Sequence, residues 1–344
     1  MRRDRLAAVS IAALALAASA ASVTNGFAYD DVHVIATNET VHSLARWWQL
    51  FTESYWPPEK SGELYRPFTM LNFAAQWVIG GGSPLVFHLT SILLYAVVCS
   101  ALFWVAVALV PLPAAWLASA LFAVHPLHVE VVGNVVGQSE LWAALFMFGA
   151  LGIFLRARMR GSLLPKETLA IALSYGLGLL SKEHTIVLPL VLLAAELAVA
   201  PREQRLRARL TELRPLILLL AAVGVAYLWV RFSVLATTRG MPPEVTPLFA
   251  SQPFGARALT MLTVALEWIR LFLWPASLSA DYSPRRIELV TTLTPNVLVG
   301  AGIIALMSVI AWKARRSAPV ATFAILWLGT ALLIPSNLIV ATGF

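Results

Sequence analysis

The chain is short of charge and almost without cysteine. Of its 344 residues only 12% are charged, 59% are hydrophobic, and the mean hydropathy is +0.77. That scarcity excludes a soluble globular enzyme, because several apolar runs approach the roughly 20 residues that carry a helix across a bilayer. The short alternating segments of a transmembrane barrel are missing, so the backbone has to satisfy itself within helices. The single cysteine, Cys99, lies inside an apolar run and excludes an internal disulfide framework. The net charge is +7, yet the basic residues do not gather on a soluble face, which excludes nucleic acid as a partner. The sequence therefore predicts an all-α polytopic membrane protein, read as one transmembrane domain over 1–344.

Met1-Arg2-Arg3-Asp4-Arg5 precedes an uncharged run from Leu6 to Thr24. The run is long enough to be an uncleaved first helix, although Ala18 to Ala21 could pass for a signal-cleavage site. The flanking arginines place the N-terminus in the cytoplasm. Residues 25–66 follow as a polar outer loop. Its Trp47, Trp48, Tyr55 and Trp56 predict a loop lying along the membrane surface, and 71–79 a short interfacial helix closed by Gly80-Gly81-Gly82. Further crossings are expected at 85–109, 114–124, 141–155, 168–180, 185–200, 216–235, 297–312 and 319–333, about nine in all with the first. Basic clusters at 156–160, 202–214 and 313–316 alternate with outer loops, as the positive-inside rule requires. The stretch 258–274 breaks the parity and is read as a re-entrant or interfacial helix, with Glu267 and Arg270 on one face.

The rare polar residues collect on the outer side: Asp30 and Asp31, Arg66, His125, His128 and Glu130, Lys182, Glu183 and His184, Arg231, and Asp281. Ionisable groups near lipid are costly and mark a site by default. Asp30 and Asp31 read either as an acidic helix cap or as a general base with a neighbour that raises its pKa. His125-x-x-His128-x-Glu130 has metal-ligating residue types, but Pro126 prevents a regular helix from presenting both histidines together. A hydrogen-bonding rim for a sugar or phosphate is expected there, with a plain interfacial helix cap as the alternative, and no metal. Lys182 and Glu183 form either an outer ion pair or a point charge for phosphate with its holder, and Arg66 and Arg231 either touch phosphate or snorkel. Polar residues borne by loops on one side fit an enzyme at the membrane surface. The alternative, a transporter or glycolipid flippase, would carry its charges near the midplane in inverted repeats.

Seven stretches come in a distinctive order: Phe27-Ala28-Tyr29-Asp30-Asp31, Tyr65-Arg66-Pro67-Phe68-Thr69, Pro84-Leu85-Val86-Phe87-His88-Leu89, His125-Pro126-Leu127-His128-Val129-Glu130, Ser139-Glu140-Leu141, Leu180-Ser181-Lys182-Glu183 and Leu278-Ser279-Ala280-Asp281-Tyr282-Ser283. Together they resemble the membrane part of the transmembrane-and-tetratricopeptide O-mannosyltransferases and their bacterial relatives, within the glycosyltransferase C superfamily. The resemblance implies transfer of mannose, with inversion, from a polyprenyl-phosphate carrier to Ser or Thr hydroxyls of an acceptor protein. It implies Asp30 or Asp31 as the base, with Asp31 the leading candidate. Arg66, His125, His128, Glu130, Lys182, Glu183, Arg231 and Asp281 would surround the donor, without a metal or other cofactor. It also implies a bacterial inner membrane with a periplasmic site, or the endoplasmic reticulum with a lumenal one. Two departures stand out. Gln138 occupies the position where the family's arginine is expected, and the tetratricopeptide repeats expected after the membrane part are absent, so the chain is expected to be truncated at its C-terminal end.

Overall fold

The computed structural model describes residues 2–57, 64–200, 205–237, 249, 252–279, 282 and 287–339, and among the described residues there is helix but no strand. The helices are α1 (Arg2–Ser19), α2 (Pro67–Gly80), α3 (Pro84–Val107), α4 (Leu112–Ala123), α5 (Val129–Gly133), α6 (Gln138–Arg160) and α7 (Pro165–Ser181). They continue with α8 (Leu188–Ala198), α9 (Leu206–Glu212), α10 (Arg214–Thr237), α11 (Phe254–Leu273), α12 (Pro295–Ala314) and α13 (Pro319–Ala331). Prolines open α2, α3, α7, α12 and α13 in the first turn, where the missing N–H would have no helical partner anyway. Gly81 (φ 57°) ends α2 and Gly161 (φ 96°) ends α6, each in the left-handed region that favours glycine.

Five helical stretches are long and apolar enough to cross a bilayer: Arg2–Thr24, Pro84–Val107, Val135–Arg160, Arg214–Thr237 and Pro295–Ala314. A sixth results if Leu112–Ala123 and Pro126–Gly133, bent by 49°, count as one broken span. The bend has its cause in Pro126, which cannot donate to the preceding turn. The other expected crossings fall on α7, α8 and α13, of 17, 11 and 13 residues. Each is shorter than the roughly 20 residues of a full crossing. The protein is a polytopic α-helical membrane protein. Although 20 residues long, α11 is not among the apolar spans; it carries the Glu267–Arg270 ion pair (2.8 Å) expected of a non-crossing helix.

The chain forms two compact units, one holding α1–α7, α9 and α10, the other α11–α13 with most of α8. In the first, α3 packs against α1, α4 and α6 through Ile11, Ala15, Tyr95, Cys99, Phe103, Ala115 and Leu141. Ala15, Ala115, Ala143 and Ala150 are wholly buried. Small residues let helices approach closely in lipid, where van der Waals packing has to replace the hydrophobic drive. α6 and α7 form an antiparallel hairpin, so the start of α6 meets the end of α7, and α10 packs against α7. The outer loop is more than a surface strap. Val34, Ile35, Val41, Leu50 and Tyr55 pack on Met70 and Phe73 of α2 and Phe87 of α3 as a second core, and the His42 ring stacks on Trp77 at 3.6 Å. Trp47 and Trp48 stay about half exposed.

In the second unit α11 and α12 touch where Gly300 faces Leu262: a Cβ at Gly300 would lie 2.0 Å from the Leu262 carbonyl oxygen. Backbone cannot rotate aside as a flexible side chain would, so even Gly300→Ala has to push the helices apart. Overpacking of this kind costs about 1–3 kcal/mol. Thermal unfolding in detergent should show a lowered midpoint for Gly300→Ala and none for Gly302→Ala, whose added methyl meets open space.

Candidate active site

The site is built where the outer loop starts, at the end of the bundle where α3 and α6 begin and α7 ends. Asp31 is completely buried. Its Oδ1 accepts the Val136 N–H at 2.8 Å, and its Oδ2 accepts those of Val135 at 3.1 Å and Ala28 at 3.4 Å. Burial raises the Asp31 pKa, and the three N–H donors only partly oppose it. This carboxylate holds the loop to the chain entering α6. Two residues before it, Tyr29 takes φ 48° and is 72% exposed. A left-handed conformation costs a bulky residue about 1–2 kcal/mol, and the fixed Asp31 keeps the turn in place.

Asp30 is different. It is exposed, and among the described residues no hydrogen bond or ion pair occupies its oxygens. Desolvation by its surroundings raises its pKa, against the charges of His33 and Arg66. Sequence reasoning put Asp31 ahead of Asp30 as a base; the geometry reverses that order, because Asp31 has no free face.

Arg66, just before Pro67, is nearly buried and grips Glu183 with two hydrogen bonds, Nε to Oε2 at 2.9 Å and Nη2 to Oε1 at 2.7 Å. Its guanidinium also lies 5.0 Å above the Tyr55 ring. The end of α7 is fastened to α2 by Thr69, whose hydroxyl donates to the Ser181 carbonyl at 3.0 Å. Burial alone would raise Glu183, but the Arg66 charge and hydrogen bonds overcome it and hold the carboxyl at about 2.

Lys182 turns the other way and donates from Nζ to Glu140 Oε1, in the first turn of α6. The second Glu140 oxygen lies 3.6 Å from His184 Nδ1. Burial first, then the Lys182 charge, lowers His184 to about 3, so that imidazole is neutral near pH 7. Burial and Arg66 lower the Lys182 pKa, Glu183 and Glu130 raise it, and the direct contact with Glu140 opposes loss of its proton. Glu130 in turn lies within the field of Lys182. Tyr227 of α10 lies within the electrostatic reach of Glu183, Arg231 and Arg66, while the Arg231 guanidinium stands 5.6 Å over the Phe232 ring. Arg66, Lys182 and Glu183 thus converge, with Asp30 in the field of Arg66 and Glu130 in that of Lys182.

The histidines are placed otherwise. His128 Nδ1 is 2.8 Å from both the Tyr95 hydroxyl and the Phe122 carbonyl oxygen, and its ring packs on Phe122 at 4.2 Å. His125 Nδ1 accepts the Leu127 N–H at 3.3 Å. Both contribute to the break around Pro126, and their rings lie 5.9 Å apart. Asp281 lies outside the described residues. Gln138, where an arginine is expected, is completely buried and exchanges two hydrogen bonds with Gln76 (2.8 and 2.9 Å) while donating to Phe87 O and Ser91 Oγ. It ties α2, α3 and α6 together and faces no open site. Sequence reasoning missed Glu140 as a site residue; its signal was an acid one turn into the helix after a Gly-Gln-Ser run.

Over 280 residues, 78% of the chain, the sequence is 31% identical to the protein O-mannosyl-transferase Tmtc2 of Drosophila melanogaster. It is 28% identical over 338 residues, 90% of the chain, to Tmtc1 of the same fly, and 33% identical over 137 residues, 39% of the chain, to human TMTC3. Over most of its length the chain fits the family of TMTC-type protein O-mannosyl-transferases. The matched regions make up 29%, 38% and 15% of those relatives, so the chain spans well under half the length of the family members it matches. No family model and no solved structure matches the chain. The matches to the two fly proteins cover 78% and 90% of the chain and so run through most of the membrane bundle.

Proposed function

We propose that the protein is an integral-membrane glycosyltransferase that moves a sugar, mannose, from a polyprenyl-phosphate carrier to a Ser or Thr hydroxyl of an acceptor protein. The names of the relatives supply the reaction class; the observation that carries the reading to this chain is one exposed carboxylate, Asp30, within the field of Arg66, whose charge also reaches Lys182. In the step, the acceptor oxygen bonds to the anomeric carbon and its proton passes to Asp30. The bond from that carbon to the phosphate oxygen breaks on the opposite face, which inverts the centre. The leaving polyprenyl phosphate gains one negative charge, and preorganised cations lower the barrier to that development. The cations supply the stabilisation, and the reading uses no metal. The site faces the outer compartment, periplasmic or lumenal, since the basic clusters at 156–160 and 202–214 belong to the opposite ends of the helices.

The full chain in lipid nanodiscs, given polyprenyl-phosphate mannose and a Ser/Thr-rich acceptor, should yield O-mannosylated product, and polyprenyl-phosphate glucose much less. Failure with every lipid-linked sugar tested would refute the reading. Asp31 has a separate expected outcome. Asp31→Asn offers an oxygen to only one of the Val135 and Val136 amides and turns its own NH2 on the other. An unsatisfied buried donor costs about 1–3 kcal/mol, so the variant should unfold earlier on heating yet retain measurable transfer.

A further inference from the structure

The two ion pairs of the site are built differently. Arg66 and Glu183 meet through two parallel hydrogen bonds, with side chains 10% and 26% exposed, so the pair is closed. Lys182 meets Glu140 through a single Nζ–Oε1 contact, with side chains 21% and 36% exposed, so that pair is open on one side. Glu140 stands at the start of a long helix and has the neutral His184 as its other neighbour, 3.6 Å away; Lys182 is its cationic partner. A single-contact pair open to solvent on one side is weaker than a closed bidentate one and is readily exchanged for a stronger anion.

Resting on the reading of Lys182 as a phosphate contact, we infer that Glu140 is a place-holder for the carrier phosphate on Lys182: its carboxylate occupies the ammonium when the site is empty, yields it to the bound lipid phosphate, and returns to displace the product. Charge balance gives the device its direction. The sugar-linked carrier is a phosphodiester with one negative charge. The product is a phosphomonoester, whose second pKa near 6 brings it to about −1.5 to −2 at pH 7. Without a competing carboxylate the product would hold Lys182 more tightly than the substrate does and block the next turnover. Glu140 weakens both, and the product more in absolute terms, because its like-charge repulsion grows with the charge on the ligand.

The test uses the full chain in nanodiscs and polyprenyl phosphate itself as probe, titrated calorimetrically. Glu140→Gln should bind the probe about tenfold more tightly than the unaltered chain, and in turnover show a lowered kcat with stronger product inhibition. Lys182→Gln should bind it at least tenfold more weakly, and adding Glu140→Gln to Lys182→Gln should recover little. If Lys182→Gln weakens binding but Glu140→Gln leaves it unchanged or also weakens it, the place-holder is overturned and the phosphate contact stands. If Lys182→Gln leaves binding unchanged, the phosphate reading of Lys182 falls and the place-holder with it. Should Glu140→Gln fail to fold, Glu140→Asp keeps the charge one methylene short of Lys182 and should tighten binding by a smaller factor; no change would count against the inference.

Discussion

Asp30→Asn should remove sugar transfer while leaving the fold and the binding of polyprenyl phosphate intact, with kcat reduced by about 10²–10⁴-fold, the range for loss of a positioned general base. Asparagine preserves the shape of the side chain but cannot take the acceptor's proton. Nothing in the packing should suffer, because Asp30 is exposed and the loop is held by Asp31. The pH profile gives a second check. Desolvation sets the Asp30 carboxyl above the usual carboxylate range, and the base works only when ionised. Transfer should therefore fall as pH drops through that raised value, so the acid limb of kcat/KM lies higher than for an ordinary aspartate. Undiminished transfer by Asp30→Asn, measured with lipid-linked mannose, would sink the role.

Much of this arrangement was legible in the sequence, and the remainder was hidden for specific reasons. Apolar runs bounded by arginine clusters disclosed the helical bundle, because the rule that reads them concerns only hydropathy and flanking charge. The partners of Asp31 were invisible. They are backbone amides of two valines 104 and 105 residues away, and a backbone donor leaves no trace in residue type. Glu140 escaped for a related reason: its meaning depends on α6 and α7 forming a hairpin that returns Lys182 to the same level. The histidines were legible by type but not by partner. Their spacing suggests a shared ligand, but the proline between them hands one to the Leu127 amide and the other to Tyr95, an aromatic in a run that looked purely apolar.

The second large effect is expected at Glu183. Its carboxyl is held at about 2, below an ordinary glutamate, by Arg66. A depressed carboxylate contributes stability above its unfolded pKa and loses it as pH falls through the folded value. This contribution should thus be complete near neutrality and vanish between the ordinary glutamate range and about pH 2. Glu183→Ala removes it at every pH and leaves the Arg66 guanidinium nearly buried without its partner. Breaking a buried pair from one side costs about 3–5 kcal/mol; since Glu183 keeps 26% of its side-chain exposure, water enters and the lower end applies. Thermal unfolding in detergent should show a large drop for Glu183→Ala, partly reversed in the Arg66→Met/Glu183→Ala double variant. A drop that the double variant leaves entirely unrepaired would show that the cost does not arise from the stranded guanidinium.

The break at Pro126 has a consequence for the order in which the bundle comes together. Leu127, which in an unbroken helix would donate to the Ala123 carbonyl, donates instead to His125, and Pro126 has no N–H for Phe122. The Phe122 carbonyl accepts the His125 N–H at 3.2 Å within the bend itself, while the Ala123 carbonyl is met by the Tyr95 hydroxyl, at 3.0 Å, from the middle of α3. In hydrocarbon an orphaned carbonyl costs several kcal/mol, so α4 cannot settle into its bent form by itself. It has to find α3 first. The two helices, adjacent in the chain and joined by the short Pro111 turn, are in this sense a single insertion unit, with one phenol acting as the latch between successive steps of assembly.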